Sequence, residues 1–391
     1  MQKVTESIIN IGIDDREITL FEGQYEIEKG MAYNSYVILD EKVAVMDTVD
    51  AHVTGQWLHE LDQALNGRKV DYLIVQHMEP DHGGSIRELA DRFPDMKIVA
   101  STIAVRMLDQ FFDGDMQGRT ETVKEGDTLS LGSHTLQFYT AAMVHWPEVL
   151  VTYEQSEQIM FSADAFGKFG TRDADEEWAR EARRYYINIC GKYGVQVQAL
   201  LKKLSGLSIS AICSLHGPVL TENLGYYMDK YNIWSSYAPE KAGVFIAYAS
   251  IYGHTRDAAL KLRDLLQENG VKEVAMCDLC RDDLHEAVSN AFCYDRLVLA
   301  AVSYDSGLFP AMETLLRHLK AKNYQKRMVA LIENGSWGPC AAKEMRALLE
   351  TMKEITVAEP VVTIKSAMKS ENVAQLEELA GVLAGSVNKN E

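Results

Sequence analysis

No stretch of this sequence approaches the roughly 20 apolar residues that a membrane-spanning helix requires. Its opening, Met1 to Asn10, holds neither a long apolar run nor a small-residue cleavage site. No signal peptide or membrane span is expected, and the protein is expected in the cytoplasm. Positive charge is in deficit: 39 Lys and Arg stand against 57 Asp and Glu, a formal net charge of −18. Such a surface repels nucleic-acid phosphates and anionic lipid headgroups, so neither is an expected partner. Cysteine is sparse. There are six, and most lie in apolar runs such as Ala211-Ile-Cys-Ser-Leu215, which suits buried reduced thiols rather than a disulfide framework. Cys277-Asp-Leu-Cys280 is a lone C-x-x-C; without a second pair it lacks the thiolates of a zinc or iron–sulfur site. Internal repeats and low-complexity tracts are absent as well.

What remains is ordinary globular material, 47% apolar and 25% charged. At 391 residues the chain is too long for one typical core and suits two domains. The first part mixes short strands and turns. Val37 to Met46 reads as a hairpin turning at Asp40-Glu-Lys, and Tyr72–His77, Gln158–Ala163 and Ala211–Leu215 read as strands. Helical patterns fall at Glu176–Arg184 and Val195–Leu204. Ser236 to Gly243 reads as a linker. Beyond it the rhythm becomes regular strand–helix alternation: strand Val244–Tyr248, helix Ala258–Asn269, strands Arg296–Ala301, Met328–Glu333 and Val361–Ile364, and a helix from Asn372 to Leu383. Such alternation implies a parallel sheet covered on both faces. The expected domains are 1–240 and 243–391.

The strongest local signal is His77-Met-Glu-Pro-Asp-His82, directly after a buried strand. Four potential ligands in six residues would be crowded and costly unless a cation neutralised them. On an extended loop alternate residues face one side, and the adjacent Asp–His pair can reach a second metal. Three more candidates lie at strand ends or on a loop: His145 in Val144-His-Trp-Pro147, Asp164 in Ser162-Ala-Asp-Ala165, and His216 in Ser214-Leu-His-Gly-Pro218. Loops at strand ends are where a rigid scaffold presents its chemistry.

In the second part, strand Val244–Tyr248 runs through Ala249-Ser-Ile-Tyr-Gly-His-Thr255 into a helix. Backbone N–H groups at such a turn point at an anion, Ser250 and Thr255 add hydroxyls, and Gly253 allows close approach. The turn lacks the G-x-x-x-x-G-K-[ST] of a nucleotide-hydrolysing loop and the G-x-G-x-x-G of a dinucleotide binder. Two later strand ends, Ala300 to Pro310 and Glu333 to Pro339, offer polar backbone and an aromatic ring each, Tyr304 and Trp337.

The ligand loop resembles the His-x-His-x-Asp-His of the metallo-β-lactamase superfamily, with Glu79 in place of the second His. Zinc hydrolases favour imidazole-rich sites; a carboxylate there gives each metal a mixed set that suits non-haem iron. The whole pattern is similar to that of the flavodiiron proteins, and the 249–255 turn resembles the FMN phosphate loop of flavodoxins. The resemblance spans almost the entire chain in the family's domain order. It implies an αββα metallo-β-lactamase-like sandwich followed by a flavodoxin-like doubly wound parallel sheet, together α+β and α/β. It implies one iron on His77, Glu79 and His145, a second on Asp81, His82 and His216, and Asp164 bridging them. It places FMN on Ser250, Tyr252, Gly253, His254 and Thr255, on Ser303, Tyr304, Asp305, Ser306 and Gly307, and on Gly335, Ser336, Trp337 and Gly338. The family's Gly-Ser-Pro-Thr-Tyr-Asn loop keeps only Tyr304 of residues 300–305, and an Asp near the ring would disfavour an anionic reduced flavin. Tyr193 matches a family tyrosine near the irons, able to donate a proton or hydrogen bond.

The activity implied is reduction of O2 to water, of NO to N2O, or of both, with electrons passing through FMN. The donor implied is rubredoxin or a rubredoxin-type reductase, separate because no rubredoxin-like cysteine pairs are present. The assembly implied is a head-to-tail homodimer. Two other readings stay open: a zinc hydrolase with an appended flavodoxin-like domain, and a non-catalytic electron-transfer flavoprotein.

Overall fold

The computed structural model describes residues 1–114 and 116–387. The chain forms two compact units, Met1–Tyr186 with Val195–Asn232, and Ile187–Gly194 with Ile233–Glu391. The second unit thus takes up a short earlier segment and begins at Ile233, ahead of the linker expected at 236–243.

Beside two small two-stranded sheets, Ile13–Asp15 with Met31–Tyr33 and Leu20–Phe21 with Tyr25–Glu26, the first unit holds two large ones. One runs in the order Gln2–Lys3, Ile8–Asn10, Tyr36–Leu39, Val43–Met46, Tyr72–Val75, Lys97–Ser101, Thr120–Val123. The other runs Thr128–Ser130, Thr135–Thr140, Leu150–Glu154, Ile159–Phe161, Ala211–Cys213. Strand periodicity explains how they meet. Tyr36, Ile38, Ala44, Met46, Ile74 and Val99 of the first sheet pack in one buried cluster with Leu136, Phe138, Leu150, Ile159 and Phe161 of the second. The residues between them, such as Val37, Val43 and Val45, are equally buried, as expected for a sheet covered on both faces. The helix Thr54–Leu65 buries Trp57, Leu61, Ala64 and Leu65, one stripe at helical spacing, and ends on Asn66 in the left-handed region. This is the αββα sandwich.

The second unit is a parallel sheet in the order Val274–Asp278, Lys241–Tyr248, Tyr294–Tyr304, Arg327–Asn334, with Ile355–Val357 and Val362–Ile364 both pairing to the last of these. The helix His254–Glu268 packs with Ser370–Val387, and Pro310–Ala321 packs with Leu284–Cys293 and Ala341–Leu349. The first strand in sequence lies between the second and third, so connections leave it in opposite directions and a crevice opens at the strands' carboxyl ends. This is the flavodoxin-like doubly wound order.

Two expected helices shift. The segment expected at 176–184 forms Trp178–Ile189, because the apolar run through Tyr185, Tyr186 and Ile187 is buried and carries the helix on. The helix expected to start at Ala258 starts at His254, directly after Gly253, whose φ of 97° turns the chain into it. Among the described residues no helix is long and apolar enough to cross a membrane.

Candidate metal centre and anion pocket

The strand Tyr72–Val75 delivers the chain to the cluster, and Glu79 keeps extended backbone at φ −58° and ψ 138°. Pro80 then occupies the first position of a one-turn helix, Pro80–Gly83, where its fixed φ is already helical. The extended loop expected across all six residues therefore ends at Glu79, and Asp81 and His82 project from a helical turn. That bend separates the segment's ligands into two groups.

In the first group the His77 Nε2 atom lies 3.2 Å from Glu79 Oε2 and 3.4 Å from Asp164 Oδ2. His145 Nε2 lies 3.0 Å from Glu79 Oε2 and 3.1 Å from Asp164 Oδ2. In the second, His82 Nε2 lies 3.2 Å from Asp81 Oδ2, 3.0 Å from Asp164 Oδ1 and 3.1 Å from His216 Nε2. His216 Nε2 is 3.3 Å from Asp81 Oδ2 and 3.7 Å from Asp164 Oδ1. The candidate ligand atoms within each group all lie within 4.8 Å of one another. Asp164 thus turns one oxygen to each group. His77, Asp81, His82, Asp164 and His216 are buried, and Glu79 and His145 half-buried.

Ring orientation is set from behind. His77 Nδ1 lies 2.8 Å from Glu148 Oε1, and His216 Nδ1 lies 2.8 Å from the Ala32 carbonyl, which leaves each Nε2 facing the carboxylates. Asp47, fully buried, accepts the Gln76 and His77 amides at 2.7 and 3.2 Å and holds the start of the loop. Around the cluster stand aromatic walls: Phe21, Tyr33 and Tyr185 against His216, and Trp146 against His77.

The electrostatics describe a site built for positive charge. Burial would keep the rings neutral, yet Asp164, Glu148 and Glu79 outweigh it and hold His77 well above the usual histidine range. His82 moves up in the same way under Asp81 and Asp164, and His145 is pushed up to about 9 by Asp164 and Glu79. Burial opposes ionisation of the carboxylates too, but hydrogen bonds from His145 and His77 hold Glu79 down at about 2, and the charges of His82 and His77 hold Asp164 well below its usual range. Protons sit where a cation would displace them. Asp81 Oδ1 and Asp164 Oδ1 are buried without a hydrogen-bond partner, a costly arrangement that a bound cation relieves. Each group offers two imidazoles, one carboxylate of its own and one oxygen of Asp164. The donor set fits two irons.

In the second unit three strand-end turns enclose a cavity of about 840 Å³, within the size of a cofactor pocket. Ser250, Tyr252, His254, Thr255, Ser303, Tyr304, Asp305, Ser306, Gly335, Ser336, Trp337 and Gly338 line it. Gly253 and Gly307, also named from sequence, do not. Gly253 donates its amide to Ser250 Oγ at 3.1 Å, and Gly307 pairs with Tyr304 in a tight hairpin. Thr255 Oγ1 is buried at the start of a 15-residue helix with no hydrogen-bond partner, which suits a phosphate acceptor. Trp337 is 97% exposed and Tyr252 90%, aromatic surface at the pocket that a planar ring would cover. The pocket fits FMN.

Ile251, Val302, Asn334 and Ser366 also line the cavity and were not singled out from sequence. Asn334 could have been, as the last residue of its strand. Glu148 was missed too, although it sits three residues after His145. Tyr193 lies in the turn Gly191–Tyr193, within the segment that belongs to the second unit. Tyr33 and Tyr185 pack their rings against His216.

A lactamase-like sandwich whose paired ligand groups share a carboxylate, with a flavodoxin-like sheet in the same chain, defines a two-metal flavoprotein. A family profile described as "ODP family beta lactamase" matches residues 31–217. The chain is 30% identical to the putative diflavin flavoprotein A 2 of Synechocystis over 81% of its own length; it spans 55% of that relative, about half. It is 27% identical to the nitric oxide reductase of Moorella thermoacetica, covering 98% of each chain. It superposes on the rubredoxin oxygen:oxidoreductase of Desulfovibrio gigas with a TM-score of 0.92 at 25% identity, over 99% of this chain and 98% of that one. Its fold is also that of the flavodiiron protein from Giardia intestinalis, with a TM-score of 0.89 at 23% identity over 100% of this chain and 98% of that one.

Proposed function

We propose that this protein is an oxidoreductase that reduces O2 to water, NO to N2O, or both, using electrons passed through FMN. The observation that carries this reading is Asp164, whose two oxygens face two otherwise matched His/carboxylate groups. Bound irons would supply the redox chemistry of the reduction, and bound FMN the electrons for it. His77, Glu79 and His145 would hold one iron, Asp81, His82 and His216 the other, and Asp164 would offer an oxygen to each. Glu148 and the Ala32 carbonyl keep the rings of His77 and His216 oriented, and the aromatic walls limit water at the centre. Thr255, Ser250 and the helix N-terminus hold the flavin phosphate, while Tyr304 and Trp337 flank the ring. Tyr193 donates a proton or hydrogen bond in catalysis. The electron donor is a separate rubredoxin or rubredoxin-type reductase, and the protein works in the cytoplasm as a head-to-tail homodimer.

The test is anaerobic reduction of the purified protein followed by separate O2 and NO consumption assays, with metal and flavin content measured on the same preparation. Two irons and one FMN per chain with turnover of either gas is the expected result. Two zincs and no flavin in protein made with iron available would overturn the reading.

A further inference from the structure

We infer that Glu148 makes the two halves of the metal centre unequal, acting on one metal through His77. The inference rests on the two-metal reading above. The seven ligands do not distinguish the halves, since each has two imidazoles, one carboxylate and one oxygen of Asp164. The difference lies behind the rings.

Glu148 Oε1 is 2.8 Å from His77 Nδ1 and accepts the Met78 amide at 2.9 Å. Glu148 is 1% exposed, and its Oε2 has no hydrogen-bond partner. A buried carboxylate so poorly solvated needs positive charge nearby, and the His77 ring is the group it meets. Among the described residues the other half has no equivalent. His216 Nδ1 faces the Ala32 carbonyl, a neutral dipole, and His82 Nδ1 is buried without a hydrogen-bond partner. Asp47, the other buried carboxylate by the loop, takes the Gln76 side chain and the Gln76 and His77 amides rather than an imidazole.

A carboxylate oxygen at 2.8 Å from Nδ1 draws the ring proton toward itself and makes the opposite nitrogen a stronger donor. The iron beside His77 is therefore the tightly held one, and its oxidised form is favoured. The iron on Asp81, His82 and His216 is the labile one. Glu148 is a positioning residue. The loop His145-Trp-Pro-Glu148 supplies a ligand to this half and the brace for its neighbour.

The experiment uses the full chain with FMN bound, stripped of metal and reloaded anaerobically with ferrous iron in competition with a chromogenic chelator. Wild type should release its two irons in two separated steps. Glu148→Gln, which keeps the shape and loses the charge, should weaken the tighter step about 10–100-fold and bring the two together. Glu148→Asp, which keeps the charge, should stay closer to wild type. Flavin content and far-UV circular dichroism report whether each variant folds. Independently of Glu148 variants, His216→Ala should leave the tight step and His77→Ala the weak one. Wild-type release from Glu148→Gln, equal losses in the Gln and Asp variants, or a His216→Ala protein retaining only the weak step would each overturn the inference alone. A wild type that takes up no iron would bring down the two-metal reading with it.

Discussion

Ser303 Oγ accepts the backbone amides of both Cys340 and Ala341, at 2.8 and 3.1 Å. The hydroxyl at the end of one strand thus caps the helix Ala341–Leu349 from a distance of 37 and 38 residues along the chain. Two of the pocket's three turns are tied through one oxygen. Ser303→Ala should lower stability by about 1–2 kcal/mol, as loss of a helix cap does, and speed flavin release. Thermal melting followed by flavin fluorescence checks this. An unchanged midpoint and release rate would reduce Ser303 to a lining residue.

Thr255 and Ser250 should hold the phosphate. The Ser250 oxygen already accepts the Gly253 amide, so its proton is left to donate outward, and Thr255 Oγ1 has no hydrogen-bond partner. Replacing both by alanine should weaken FMN retention with the chain still folded, at about 1.5–3 kcal/mol for each lost bond to a charged group. Flavin stoichiometry after gel filtration is the measurement. Full retention in a folded double variant would move the phosphate elsewhere.

Glu79 stands where the His-x-His-x-Asp-His loop of zinc hydrolases has its second histidine. Its Oε2 sits between the His77 and His145 rings at 3.2 and 3.0 Å. Glu79→His should fold, favour zinc over iron, lose reductase activity and keep FMN, because imidazole replaces the oxygen donor that suits iron. No hydrolase activity should appear, since substrate pockets are built by other loops. Metal content, flavin content and anaerobic turnover are read on one preparation. Full diiron occupancy with wild-type turnover would remove Glu79 from the ligand set.

The hairpin turn at Asp40 should give the first unit an acid-sensitive tie. Burial raises the Asp40 pKa, but the His134 amide and ring, the Glu41 amide and the Ser133 hydroxyl outweigh it and hold the carboxyl well below the usual range. A depressed folded pKa stabilises above the unfolded value of about 3.9, and that stability is lost as pH falls from there through the folded pKa. Asp40→Asn should therefore unfold at lower urea than wild type near neutral pH, and the gap should narrow below about pH 4. A gap independent of pH would mean the carboxylate charge plays no part.

How much could be read beforehand follows from where the information lies. The ligand loop was legible because its charge density falls within six residues and needs no fold to be recognised. The strands that carry it were legible as apolar runs. Val274–Asp278 is not legible as a strand; four of its five residues are half-buried and its end is acidic, so it carries little of the apolar signal of Val244–Tyr248. The ligand spacing by itself suggests an extended segment at Pro80, and the proline's preference for a first helical position turns it instead. Glu148 was invisible for a different reason: it meets His77 across 71 residues, a contact only the packed sheets create. Ser303 was seen as a pocket residue, but its tie to the helix at Ala341 likewise needs the third dimension.

The bend at Pro80 has an evolutionary consequence. Residues 77 and 79 precede it and serve one half, while 81 and 82 follow it and serve the other. Exchanging one side chain for another along this segment changes the chemistry of a single half, which is how an imidazole position can become Glu79. Adding or removing one residue beside Pro80 would instead rotate every following side chain by about 100° around the turn, at 3.6 residues per turn. It would send ligands of one half away from both. The segment is therefore free to vary in letter and rigid in length.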